Sequence, residues 1–207
     1  LLRFALAPVF AAMLALPAFA QAIPLAEISR YLNSIGTAQA DFTQVNADGS
    51  MATGKIYLKR PGRVRFEYSS DKSLVLASTG SVAIFDPKSN QPPTQYPLSR
   101  TPLSLILADN IDLSRARMVT GQTSDGKTTT VIAQDPDHPD YGTIAMVFTP
   151  NPTQLRQWVI TDGAGKKTVV ILGDMATGMD FQNRLFSIDV ETRARRAGPV
   201  RQRADHP

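Results

Sequence analysis

Apolar residues at Leu25, Ile28, Leu32 and Ile35 recur at helical spacing, with Pro24 near the start and Gly36 at the end, and predict one short amphipathic helix. From Ala38 onward the period changes to two, and β-branched and aromatic residues gather in short runs between turn signals, which predicts sheet. The expected strands are 40–45, 55–59, 63–68, 73–77 and 82–85, then 116–120, 128–133, 143–148, 155–161, 167–172 and 184–188. Asp48-Gly49, Pro61-Gly62, Asp86-Pro87, Asp125-Gly126 and Asp162-Gly163 punctuate them as turn dipeptides. About eleven antiparallel strands with short connections imply a mainly β (α+β) fold built on one large curved sheet or barrel.

Two stretches interrupt this pattern. Thr101 to Leu107 combines a capping residue, a proline at the first helical position and a dense leucine face, and predicts a short helix. Asp135 to Tyr141, with Pro136 and Pro139, predicts a loop. Both lie between strands, where they can fold over a barrel mouth. Within 63–68, Arg63, Arg65 and Glu67 share one face and Val64, Phe66 and Tyr68 the other, the alternation of a sheet wet on one side. Both faces of 143–148 are apolar, with Ala145 and Val147 opposite Ile144, Met146 and Phe148. Such a sheet needs a second layer, and the chain offers about two helices to supply it. Periodicity alone leaves two readings open: an ordinary filled core, or an apolar concave surface left over.

The N-terminus changes the picture of where this sheet folds. One charge at Arg3, an apolar run from Phe4 to Leu16, then Pro17 and Ala18-Phe19-Ala20 have the form of a secretory signal peptide. The run is shorter than the roughly 20 residues a membrane-spanning helix takes. The expected division is a signal peptide at 1–20, one domain at 21–190 and a basic, disordered tail at 191–207. With no cysteine in the chain, the exported domain relies on packing and strand pairing rather than disulfides. The formal charge of the whole is +4. Arg3 carries one of these charges. Arg193, Arg195, Arg196, Arg201 and Arg203, against Asp205, put +4 in residues 192–207 and leave the body, 21–191, near neutral at about −1. The body therefore has no charge excess for nucleic acid to read.

Catalytic chemistry finds no foothold in the sequence. His138 and His206 are the two histidines, and neither has a helical-spaced partner for a metal. No nucleophile elbow, phosphate loop or dinucleotide fingerprint occurs, and no cofactor is expected. The densest constellation is the hairpin from Gly54 to Tyr68, in which Arg60 stands at the end of a strand beside Pro61-Gly62. Its rigid guanidinium has five donors and can hold several carbonyls at once, although an arginine at a strand end is also an ordinary solvated charge.

This hairpin, with its G, alternating apolar residues, R-P-G and aromatic-rich strand, resembles the LolA family of periplasmic lipoprotein carriers. Phe42-Thr43-Gln44 resembles the family's F-x-Q, Phe85-Asp86-Pro87 its aromatic-D-P, Thr101-Pro102-Leu103 its helix start and Asp162-Gly163-Ala164-Gly165 its D-x-x-G hairpin. The pieces run in family order from about Leu25 to Ile188. Ser78-Thr79-Gly80 departs from the family's Ser-Asp-Gly, Phe66 stands where tryptophan is usual, and the arginine-rich end lacks the family's ending.

The resemblance implies an incomplete antiparallel β-barrel with an apolar concave face covered by short lid helices, and Arg60 as a latch that bonds the lid. It also implies a non-enzymatic, monomeric periplasmic protein that shields acyl chains and transfers lipoproteins from the inner to the outer membrane. Its partners would be acylated lipoproteins, an inner-membrane lipoprotein-releasing ABC transporter, and an outer-membrane receptor or the outer membrane directly. The strand residues expected to line the cavity are Phe42, Val64, Phe66, Leu76, Ile84, Met118, Ile144, Met146 and Phe148. Leu103 and Leu107 are expected to face it from the lid. A periplasmic regulator of related fold that senses lipid or outer-membrane proteins is the alternative.

Overall fold

The computed structural model describes residues 21–89, 91–114 and 117–197. The expected signal peptide, His206 and the final residues 198–207 lie outside them. The chain opens with α1 (Leu25–Ser34), followed by β1 (Thr37–Val45), β2 (Met51–Lys59), β3 (Arg63–Tyr68), β4 (Leu74–Ser78), β5 (Ser81–Phe85) and β6 (Thr94–Pro97). A 3-10 turn at Leu98–Arg100 and α2 (Leu103–Leu107) lead to β7 (Val119–Ser124) and β8 (Thr129–Gln134). After a second 3-10 turn at Pro139–Tyr141 come β9 (Thr143–Thr149), β10 (Gln154–Thr161), β11 (Lys167–Leu172) and β12 (Ala176–Thr177). A third such turn at Asn183–Phe186 precedes α3 (Ile188–Ala197).

Among the described residues all twelve strands form one antiparallel sheet in the order β6-β5-β4-β3-β2-β1-β11-β10-β9-β8-β7, with β12 added to the start of β1. β6 and β7 end the two sides unpaired with each other, so the barrel is incomplete. Since these edges are also consecutive in sequence, the connection through α2 has to travel from one rim to the other. It does so across the concave side: Leu98, Leu103, Ile106, Leu107, Ile111 and Leu113 are buried in one cluster with strand residues from both halves of the sheet. Ile28 and Leu32 of α1 join the same cluster. The period-two burial of β8 and β9 follows, with Val131, Ala133, Ile144, Met146 and Phe148 all turned inward.

A second, smaller cluster lies on the opposite face. Leu74, Leu76, Ala83 and Phe85 of β4 and β5 pack around Phe186, which is 1% exposed. This cluster corrects two expectations. Residues 184–188 are not a strand: Leu185 and Phe186 turn down onto the back of the sheet. Residues 191–197 continue α3 instead of beginning a disordered tail. The helix is held because Arg65 Nη1 meets Glu191 Oε2 at 3.1 Å, and the Arg195 guanidinium lies 5.1 Å from the centre of the Phe85 ring. The arginine face of β3 is thus covered rather than wet: Arg63 donates to Asn183 and Arg65 to the Leu185 carbonyl.

Smaller differences have local causes. β6 and β12 were not expected, the former being wholly exposed and the latter two residues long. The strand expected at 116–120 is β7, displaced toward the polar residues Gly121 to Ser124; residue 116 lies outside the described residues. Thr101 does not cap α2, because its Oγ1 donates to the Leu98 carbonyl at 2.9 Å and so closes the preceding turn.

Candidate functional site

The loop Arg60-Pro61-Gly62 joins β2 to β3, which pair up to Lys59 opposite Arg63. Gly62 has φ +69, a conformation that disfavours side chains. Its N–H donates to the Leu107 carbonyl at the end of α2 at 2.8 Å, and the Arg60 N–H donates to Gly36 just beyond α1 at 2.8 Å. The loop therefore sits between the C-terminal ends of both helices, where backbone carbonyls lack helical partners.

Arg60 meets those carbonyls. Its Nε and Nη2 donate to Ala108 O at 3.1 and 2.6 Å, Nη2 reaches Asp109 O and Asn33 Oδ1 at 3.1 Å each, and Nη1 bonds Leu32 O. Neither helix carries a basic residue in its own last turn, so one guanidinium supplies the favourable cation to both. Burial pulls its pKa below the ordinary arginine value, opposed by the charge of Asp109. At neutral pH it remains a cation.

Further bonds pin α1 over the sheet. The Leu155 N–H of β10 donates to Tyr31 Oη at 3.0 Å, Thr153 Oγ1 donates to Glu27, and Leu113 N–H donates to Ser29 Oγ at 2.9 Å. Burial raises the Tyr31 pKa above its usual value, so the hydroxyl stays neutral as an acceptor.

Beneath the helices the concave face is almost entirely apolar. Phe42 meets Phe66 and Tyr68 edge to face at 5.4 and 5.3 Å, and Phe66 meets Trp158 at 6.3 Å. Tyr68 closes this row with its hydroxyl donating to Gln44 at 2.8 Å, and its burial pushes its pKa up to about 12. A cavity of about 30 Å³ lies under the lid, bordered by Leu32, Ile35, Ile106, Leu155, Trp158 and Arg60 among others. That is room for about one water, whereas pockets that hold a drug-sized ligand measure roughly 300–1,000 Å³. With the helices down, the protein fills its concavity with its own side chains.

Of the residues expected to line it, Phe42, Val64, Phe66, Leu103, Leu107, Ile144, Met146 and Phe148 are in the main cluster, and half-buried Met118 packs against it. Leu76 is not among them: β4 register places it opposite Arg65 and Ala83, on the back face around Phe186. Ile84 does share a face with Val75 and Phe66 but lies beyond the lid, 38% exposed. Asn33, Tyr31 and Trp158 were not foreseen. His138 is exposed and stacks on Tyr141 at 4.6 Å. No cluster of three or more metal-ligating side chains occurs among the described residues. None of their helices is long and apolar enough to cross a membrane.

The chain matches the model of a family described as outer membrane lipoprotein carrier protein LolA over residues 33–189. It is 26% identical over 190 residues to a protein of Chromohalobacter salexigens named outer-membrane lipoprotein carrier protein, covering 86% of this chain and 90% of that one. A protein of the same name from Pseudomonas paraeruginosa is 26% identical over 168 residues, covering 77% and 80%. A putative outer membrane lipoprotein-sorting protein domain from Vibrio parahaemolyticus superposes with a TM-score of 0.47 at 10% identity, over 80% of this chain and 96% of that one.

Proposed function

The chain belongs to the LolA family of outer-membrane lipoprotein carrier proteins, and from that premise we propose that it shelters the acyl chains of lipoproteins on its concave face during transfer through the periplasm. The cargo is received from an inner-membrane lipoprotein-releasing ABC transporter and passed to an outer-membrane receptor or to the outer membrane directly. The protein is a binding protein rather than an enzyme in this reading, and it works as a monomer.

The observation that carries the reading is Arg60, whose one side chain ties α1 and the segment after α2 together over an apolar face. Burying an acyl chain is worth about 0.8 kcal/mol per methylene, so a chain of some fifteen carbons costs on the order of 12 kcal/mol to expose. A carrier therefore has to offer a surface as apolar as a membrane interior. It also has to let go. Lid side chains such as Leu103, Ile106 and Leu107, buried on that face when it is empty, compete with the cargo for the same surface. The difference between the two fillings sets the affinity, and Arg60 adds to the closed side. Short helices suit this exchange, since five- and ten-residue segments have little stability apart from the surface they cover.

The test is displacement of an environment-sensitive apolar dye from the purified protein. A synthetic triacylated lipopeptide is expected to displace the dye, and the same peptide without acyl chains to leave it bound. Indifference to both overturns the reading.

A further inference from the structure

Trp158 is the chain's single tryptophan. It borders the cavity under the lid, is 2% exposed, and its indole Nε1–H has no hydrogen-bond acceptor among the described residues. The polar groups that hold the lid are paired, Ser29 with Leu113 N–H and Tyr31 with Leu155 N–H. Phe66 meets the indole edge to face with ring centres 6.3 Å apart, and a ring face is a weak acceptor. An indole N–H donates and cannot accept, so its missing partner is a lone pair, most naturally one on oxygen. The neighbouring walls are mostly apolar, Leu32, Ile35, Ile106, Leu155 and Met175 among them, with Gln39 and Arg60 as the polar members, and suit an oxygen that arrives on a largely apolar molecule. A charged headgroup would lose its hydration there, and the one cation at the border, Arg60, is already committed to Leu32, Asn33, Ala108 and Asp109.

We infer that Trp158 Nε1 is the polar contact for an acyl-ester carbonyl of the cargo, so that the concave face prefers carbonyl-bearing acyl chains to bare hydrocarbon chains of equal length. This rests on the carrier reading and deepens it. With the lid down the donor is buried without a protein partner, which weighs against the empty state; the bonds of Arg60 weigh the other way. A ligand that brings an acceptor gains an interaction made only in the loaded state, the condition for shifting the balance toward it.

Two lipids that differ only at the linkage test this: dioctanoylglycerol, an ester, and its dioctyl ether counterpart, each titrated calorimetrically into the intact protein. The native protein is expected to bind the ester roughly tenfold more tightly, about 1.4 kcal/mol. Trp158→Phe is expected to lose the tenfold difference between ester and ether. A second measurement needs no variant: the single indole N–H resonance of the native protein should move downfield with the ester and stay with the ether. Equal binding of both lipids, or an indole resonance that neither moves selectively, overturns the inference and leaves the carrier reading standing. If neither lipid binds, the carrier reading falls and takes the inference with it.

Discussion

Asn33 and Ile111 hold each other by a reciprocal pair of hydrogen bonds, Ile111 N–H donating to Asn33 Oδ1 at 3.0 Å and Asn33 Nδ2 donating to Ile111 O at 2.8 Å. The amide of one side chain thus stands in for a strand neighbour and gives the segment after α2 a backbone-like partner on α1. Asn33→Ala leaves the Ile111 N–H buried and unpaired, a cost of about 1–3 kcal/mol. Hydrogen exchange at Ile111 and Leu113 is expected to accelerate by one to two orders of magnitude. Unchanged exchange at these amides would show that the segment is held elsewhere.

Arg60→Leu removes the contacts to Leu32, Asn33, Ala108 and Asp109 together. If these bias the closed state by about 2 kcal/mol, the variant should fold, bind acyl ligand up to roughly thirtyfold more tightly and release it correspondingly more slowly. Arg60→Lys should resemble the leucine variant more than the native protein, because an ammonium cannot span four oxygens with planar geometry. Transfer of a bound lipopeptide to acceptor vesicles gives the readout, and native transfer rates in Arg60→Leu would refute the latch.

Gly54 lies directly between Phe42 of β1 and Tyr68 of β3. A Cβ there would stand 1.9 Å from the Glu67 carbonyl oxygen and 2.9 Å from the Phe42 ring. Gly54→Ala is therefore expected to cost about 3 kcal/mol or more, lowering the thermal midpoint by roughly 6–12 °C. Gly36→Ala, where a Cβ meets nothing within 4 Å, is the matched control and should change it little.

Glu191 gives a pH dependence. Burial pushes its carboxyl up, but hydrogen bonds and charges from Arg195 and Arg65 outweigh that, and the net shift is downward. A depressed carboxyl stabilises the fold above its unfolded pKa, about 4.3, and that contribution is lost as pH falls through the lower folded value. Glu191→Gln should therefore be less stable than the native protein at pH 7, by roughly 1–2 kcal/mol. The gap in thermal midpoint should close as pH falls below about 4. A gap that is constant with pH would contradict the assignment.

The sheet was readable because alternation survives wherever one face is buried: 63–68 and 167–172 were read with the bounds that the structure shows. β6 escaped because four exposed residues carry no alternation. Trp158 escaped for a more specific reason. Simple parity along β10 puts Leu155 and Trp158 on opposite faces, but a bulge between Leu155 and Gln157 shifts the register, so that Leu155 faces Phe148 and Trp158 faces Met146 on the same side. Leu76 was misplaced because a strand's two faces are equivalent in sequence until the neighbouring strand is known. The arginines of α3 read as a solvated end since the partners that dock Arg195 on the sheet, Phe85 and the Lys72 carbonyl, are more than a hundred residues away. Arg60 was visible as an unusual residue, but its partners were not, because helix C-termini declare no sequence motif at a distance.

The cluster around Phe186 gives β4 and β5 a set of buried contacts that does not involve the lid at all. That part of what anchors those strands is therefore indifferent to whether α1 and α2 are seated or lifted. A molecule so arranged can swap the lining of its hollow for a visitor while its frame stays standing, and turnover of contents need not pass through unfolding.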